Sequence, residues 1–206
     1  MPPAPDATTD EIVHRLPRDP AHLYQRSQDP PNYNNPMGCG AFCTSMALSF
    51  YNPERYGNYG APRAIFGEMV KVPFFGGTFE GQNASIAKKH GFFAAPFDHG
   101  KVTDLAAAID HGAPTIMLVD PGRFGIGRHD VLLVGYSVDA NGNYINLFTN
   151  NPEVQGATLE SPLDEKYPGN YIIPVSTLPT KWTGCFTPFF SSAEAFASWR
   201  AQVGRR

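Results

Sequence analysis

A chain of 206 residues with 42% hydrophobic and 17% charged residues is sized for one domain with its own core and is not a disordered polymer. Its 16 basic and 19 acidic residues leave a net charge of −3, with no basic stripe of the kind that binds nucleic acid. No run approaches the roughly 18 apolar residues that a membrane-spanning helix needs, so neither a nucleic-acid partner nor a membrane span is expected.

The opening MPPAPDATTDE is Pro-rich and acidic and lacks the basic start and apolar middle of a secretory signal. The expected location is cytoplasmic unless a signal sequence has been removed. Residues 1–20 hold five prolines and little periodicity, and read as a mobile or surface-hugging arm before one domain over 21–206. The turn segment PPNYNNPMG (30–38) leads into CGAFCTSMALSFY (39–51), whose small and apolar residues on most sides predict a buried helix that Asn52-Pro53 ends. Short amphipathic helices are expected over 63–70 and 83–90, the latter closed by Gly91. A firmer one covers 103–111, capped by Thr103 and stopped by Gly112 and Pro114. TIMLVD (115–120) reads as a buried strand, followed by the Gly-rich loop PGRFGIGR. VLLVGYSV and NYINLFT flank Asn141-Gly142 and predict a hairpin. Strands at 171–175 and 182–186 and a helix at 193–203 complete an α+β domain, helices first and antiparallel strands later, ending in a short arginine-bearing tail.

Three cysteines, with no paired CxxC or HxxxH spacing, make neither a disulfide framework nor a zinc site, and no metal or cofactor is expected. One cysteine does stand where chemistry favours a nucleophile. Cys39 follows a Gly/Pro-rich turn and opens the buried helix, where helix N-terminal N–H groups favour a thiolate and an oxyanion. The plain alternative is a small buried hydrophobe, which suits Cys43, one turn deeper on the same face. Of the six histidines, His14 and His22 fall in the Pro-rich N-terminal region, His90 and His111 at helix C-termini, and His99 in a turn. His129 stands between the glycine loop and VLLVGY, where its side chain can face a cleft while its backbone joins a sheet. Folding the hairpin back through Asn141-Gly142 brings residues 150–154 beside residue 129. Asn150 or Asn151 can then accept the imidazole N–H and fix its tautomer, although Asn150-Asn151-Pro152 also suits a strand-ending turn.

These residues resemble a family. Cys39-Gly40 with Met46-Ala47-Leu48 is similar to the CGPTALAM pattern of the double-glycine leader peptidases of bacteriocin exporters and their stand-alone relatives, within the papain-like superfamily. The resemblance continues through residues 86–91, 105–109 and 112–116 and ends with His129–Tyr136 and Asn151-Pro152, covering about residues 25–155. It implies a papain-like α+β fold, Cys39 as nucleophile and His129 as general base. The family's acidic third member falls on Asn151, where this chain has the amide that papain uses. The family's oxyanion glutamine upstream of the cysteine has Gln28 and Gln25 as candidates, 11 and 14 residues before Cys39, with Asn34 or Asn35 as substitutes. Ala41-Phe42 replaces the family's Pro-Thr, a departure that bears on substrate fit.

The resulting expectation is a hydrolase that cleaves a peptide or isopeptide amide through a thioester, with a peptide or protein as its partner. Two alternatives stand beside it: a transferase that gives the acyl group to an amine, and a non-catalytic papain-like module whose cleft only holds a peptide.

Overall fold

The computed structural model describes residues 11–23, 38–70, 81–120, 128–153 and 167–204. The expected α+β arrangement is observed. After a first strand, β1 (Ile12–Arg15), come α1 (Cys39–Ser49), α2 (Pro53–Tyr56), α3 (Gly60–Glu68) and α4 (Gln82–Lys89). The short strand β2 (Phe93–Ala94) and α5 (Val102–Asp110) lead into β3 (Thr115–Val119), β4 (His129–Val138) and β5 (Tyr144–Asn150). The chain closes with β6 (Tyr171–Pro174), α6 (Leu178–Lys181), β7 (Trp182–Phe190) and α7 (Ala193–Val203).

All strand pairs are antiparallel, in the order β2-β7-β3-β4-β5-β6. The first strand departs from the sequence reading. Residues 12–15, expected within an arm, pair with Gly135–Val138 on the edge of β4 that β3 occupies farther along. Its anchors are tertiary, which is why the Pro-rich composition hid it. Glu11 accepts from the Ser137 hydroxyl, from Asn146 Nδ2 (2.9 Å) and from the Tyr167 hydroxyl (2.5 Å), and Leu16 enters the core.

Helix α1 is buried from Gly40 to Ser49, as a sequence apolar on most sides requires. It packs on β4 and α3 and brings Phe42, Met46 and Leu48 into one core with Leu132, Phe148 and Phe189. Its end is written locally. Asn52 Oδ1 accepts from Arg55 N at 3.1 Å and Pro53 occupies the first turn of α2, so the chain restarts in a new direction. At α5 the cap differs from expectation. The helix begins at Val102, and the Asp104 carboxylate, not Thr103, takes the Lys101 N–H at 2.8 Å.

The β4–β5 hairpin sets the site. Asp139 Oδ1 accepts from Asn141 N and Asn143 N, both at 2.8 Å, and Gly142 supplies the positive φ (81°) that the turn demands. Two irregularities follow along the ladder: β5 carries an extra residue after Tyr144, and β4 carries one between Leu133 and Gly135. They cancel, so Leu132 faces Asn150 and the end of β5 arrives beside the start of β4.

Candidate active site

Cys39 is the first residue of α1, as expected, and retains partial exposure. Its electrostatics differ from expectation. The thiol pKa is pushed up to about 12, first by burial and then by the negative charge of Asp130, with a smaller push from Glu153. Main-chain hydrogen bonds from Asp130 and Gly40 pull the other way and lose. The favourable end of the helix is therefore outweighed by desolvation, and Cys39 rests as a thiol at neutral pH. Among the described residues no hydrogen bond joins its sulfur to the His129 ring. Cys43 lies one turn deeper, fully buried, and donates its S–H to the Asp130 carbonyl at 3.2 Å. Burial, then Asp130, holds its pKa well above the ordinary value, which suits the core role read from sequence.

His129 opens β4 with only 7% of its surface exposed. Its Nε2 lies 2.9 Å from Asn151 Oδ1. An amide oxygen only accepts, so Nε2 carries the proton and Nδ1 is left as the basic nitrogen. Asn151 Oδ1 also accepts from Glu153 N at 3.0 Å. The two asparagines thus separate. Asn151, just past β5, meets the ring, whereas Asn150 is the last residue of the strand, 3% exposed, with an Oδ1 that has no hydrogen-bond partner among the described residues.

A second polar chain ties the cysteine side together. Asn83 Nδ2, on α4, donates to Asp130 Oδ2 at 3.3 Å, and the Thr44 hydroxyl on α1 donates to Asn83 Oδ1 at 3.1 Å. Asp130 is the residue after His129, and burial raises its carboxyl pKa more than the Asn83 bond and nearby His129 lower it. Sequence reasoning passed over Asp130 and Asn83. The acidic residue directly after the candidate base was the available signal for the first. Nothing in the local sequence marks the second, whose partner lies 47 residues away.

The oxyanion candidates Gln28, Gln25 and Asn34, the substitute Asn35 and the Gly-rich loop at 121–127 lie outside the described residues. Cys185, on β7, bonds Asp98 Oδ1 at 3.0 Å, apart from this cluster in sequence and in contacts. Among the described residues no three His, Cys, Asp or Glu side chains gather as a metal site, and no helix is long and apolar enough to cross a membrane.

No family model matches the chain, and no curated protein matches it either. Solved structures do. The fold is similar to a double-glycine motif protease from an AMS/PCAT transporter, solved in complex with the leader peptide, at a TM-score of 0.52 and 14% identity over 88% of this chain and 99% of that one. It is also similar to the peptidase domain of Streptococcus ComA, a bifunctional ABC transporter involved in quorum sensing, at a TM-score of 0.53 and 18% identity over 87% of this chain and 99% of the other. The chain therefore has the fold of these double-glycine peptidase domains, papain-like as the sequence resemblance implied.

Proposed function

We propose that this protein is a papain-like cysteine peptidase that cleaves a peptide amide through a thioester on Cys39, with His129 as general base and Asn151 orienting the ring. One observation carries the reading: His129 Nε2 is bonded to Asn151 Oδ1 at 2.9 Å, which makes Nδ1 the acceptor nitrogen of the neutral ring, one residue before the Asp130 that lies beside Cys39. Two fold neighbours that are peptidase domains, one holding a leader peptide, support it. Peptides ending in a double glycine are accordingly the first substrates to try.

The chemistry follows from the resting state. Cys39 starts as a thiol, so its proton has to leave during attack rather than before it. With substrate bound, the sulfur turns from the Asp130 main chain toward the imidazole, Nδ1 takes the proton, and the sulfur attacks the carbonyl carbon. The main-chain N–H groups at the start of α1 face the developing oxyanion, and Gln28, Gln25 or Asn34 supplies a second donor. Collapse breaks the C–N bond, and the imidazolium gives its proton to the leaving amine. Water, deprotonated by the same nitrogen, then attacks the thioester to release the acid and restore the thiol.

The raised Cys39 pKa specifically favours a second reading, a module that holds a peptide without cutting it. Intact-mass spectrometry of the protein mixed with double-glycine peptides separates the two. A transient adduct of the acyl fragment on Cys39, with appearance of both cleavage products, is expected. Peptide binding without adduct or products overturns the peptidase reading in favour of the module. Products carrying an added amine in place of water point to a transferase.

A further inference from the structure

Asn151 lies one residue beyond β5, so the strand ladder no longer fixes its backbone. Its own Oδ1 already has a partner in Glu153 N at 3.0 Å, a local turn that satisfies the amide without His129. Something else must fix the direction in which that oxygen points. Asn170 is the group in place to do so. It is completely buried and precedes β6. Its main-chain N–H donates to Thr149 O at 3.0 Å, its Oδ1 accepts from Asn151 N at 2.8 Å, and its Nδ2 donates to Asn151 O at 3.4 Å. One side chain thus takes both main-chain polar groups of Asn151, as a neighbouring strand would.

The approach depends on Gly169. It has φ +82°, and a Cβ there would sit 2.5 Å from Thr149 O, so no side chain fits. From the other side the half-buried ring of His22 bonds the Asn170 side chain, and desolvation lowers the His22 pKa more than that bond and the nearby Asp19 charge raise it. The chain of contacts runs from His22 through Asn170 and Asn151 to His129.

We propose that Asn170 is a positioning residue: by clamping the main chain of Asn151 it aims Oδ1 at His129 Nε2 and so keeps Nδ1 as the base. The proposal rests on the catalytic reading given above, and its test separates the two. Asn170→Ala, Asn151→Ala and the double variant are compared with wild type by thermal melting, by kcat and KM on a cleaved peptide, and by nitrogen NMR of the His129 ring, which reports the tautomer without turnover. In wild type the ring shows one Nε2–H form. Asn170→Ala is expected to melt as a folded protein and to show a mixture of tautomers. Its kcat should fall roughly 10- to 100-fold, the scale of a small misplacement in a catalytic group, with KM changing less than about twofold. In the Asn151→Ala background the same substitution should alter kcat by less than about twofold, because the residue it acts through is gone. Asn170→Asp retains the acceptor for Asn151 N–H and should recover most of the wild-type ring signal. If Asn170→Ala does not fold, Asn170→Ser takes its place, because its shorter side chain cannot span both main-chain groups of Asn151, and the same mixture of tautomers and loss of kcat are expected. A folded Asn170 variant with lower melting temperature but wild-type tautomer and kcat makes Asn170 purely structural and overturns the proposal. If Asn151→Ala itself leaves ring and turnover unchanged, the catalytic reading of Asn151 fails instead.

Discussion

The two halves of the site meet at consecutive residues of β4, His129 and Asp130, yet they are built on opposite electrostatics. On the histidine half two amides hold the imidazole: Asn151 on the ring and Asn170 on the Asn151 main chain. An amide oxygen that only accepts fixes which ring nitrogen donates to it. On the cysteine half a partly exposed thiol lies near a carboxyl; desolvation raises the pKa of both groups, and the carboxylate charge raises that of the thiol further. The proposed base is held in place by hydrogen bonds, and the proposed nucleophile has a raised pKa. On the proposed peptidase reading, deprotonation of Cys39 would wait until substrate displaces it toward the base, and each substitution below tests one half of that contrast.

The largest effect belongs to Cys39→Ala. If the thioester is the route, peptide cleavage should fall by roughly 10⁴-fold or more, as when the nucleophile of a triad is removed. The variant should fold and still bind peptide, which calorimetry or fluorescence anisotropy can check. Residual cleavage near the wild-type rate would move the nucleophile elsewhere.

Next comes Asn151→Ala, which breaks the histidine half alone. A fall in kcat of roughly 10- to 100-fold is expected as the ring loses its fixed tautomer. Asn150→Ala removes an amide that does not touch the ring and should leave kcat within about twofold while altering stability. Equal losses in both variants would show that the strand end as a whole, rather than one side chain, orients His129.

The histidine half was readable from the sequence because a hairpin is local geometry. Asn141-Gly142 set the turn, β-rich runs set the strands, and the two register shifts happened to cancel, so counting back from the turn placed Asn151 near His129. Cys39 was readable as a helix start after a turn-rich segment. The fold class followed from the same elements, since helices precede strands. What could not be read depends on contacts between distant segments. Asp130 meets Asn83 across 47 residues, Asn151 meets Asn170 across 19, and β1 pairs with β4 in a region that composition marked as an arm. The raised pKa of Cys39 was not legible for the same reason. Helix position is local and was visible, whereas burial of the sulfur beside a carboxyl is tertiary and prevailed.

A smaller effect, and the sharpest on the cysteine half, is expected from Asp130→Asn. The amide keeps an oxygen for Asn83 Nδ2 but removes the charge beside Cys39. Alkylation of Cys39 by iodoacetamide, followed across pH by mass, should therefore shift toward lower pH in the variant. Stability gives an independent sign. The folded state holds the Asp130 proton more tightly than the unfolded chain, because burial raises its pKa. Below the ordinary carboxylate range that proton is present in both states. As pH rises above it, the unfolded chain releases the proton first, so wild-type stability is lost through the window up to the raised folded value. Asp130→Asn lacks that loss, so the melting temperature of the variant minus that of wild type should grow from about pH 3 toward neutrality, referenced to the ordinary Asp pKa. A constant difference across pH would mean that the carboxyl is as well solvated folded as unfolded, and the cysteine half would need another explanation for its raised thiol.

The smallest effect is expected from Cys43→Ala, and it decides whether the carboxyl pocket acts on one thiol or two. Cys43 sits a turn below Cys39, where the neighbouring main-chain N–H groups are already committed to the helix ladder. Its sulfur is fully enclosed and spends its one proton on the Asp130 carbonyl at 3.2 Å. A thiol so placed has no route to a substrate carbonyl and no donors to stabilise an oxyanion. Its removal should leave a small void and cost about 1 kcal/mol, the low end for truncated core side chains, or about 2–4 °C of melting temperature for a protein of this size. Peptide cleavage should remain within about twofold of wild type, since the enclosed Cys43 sulfur reaches no reacting atom. Cys43→Ser is the sharper control. Its hydroxyl can still donate to the Asp130 carbonyl, so it should recover part of the stability lost in the alanine variant if the hydrogen bond matters, and none if the loss is packing alone. Should either variant lose cleavage along with the alkylation of Cys39, the two thiols are coupled through Asp130, and the cysteine half works as one unit spanning a full turn of α1.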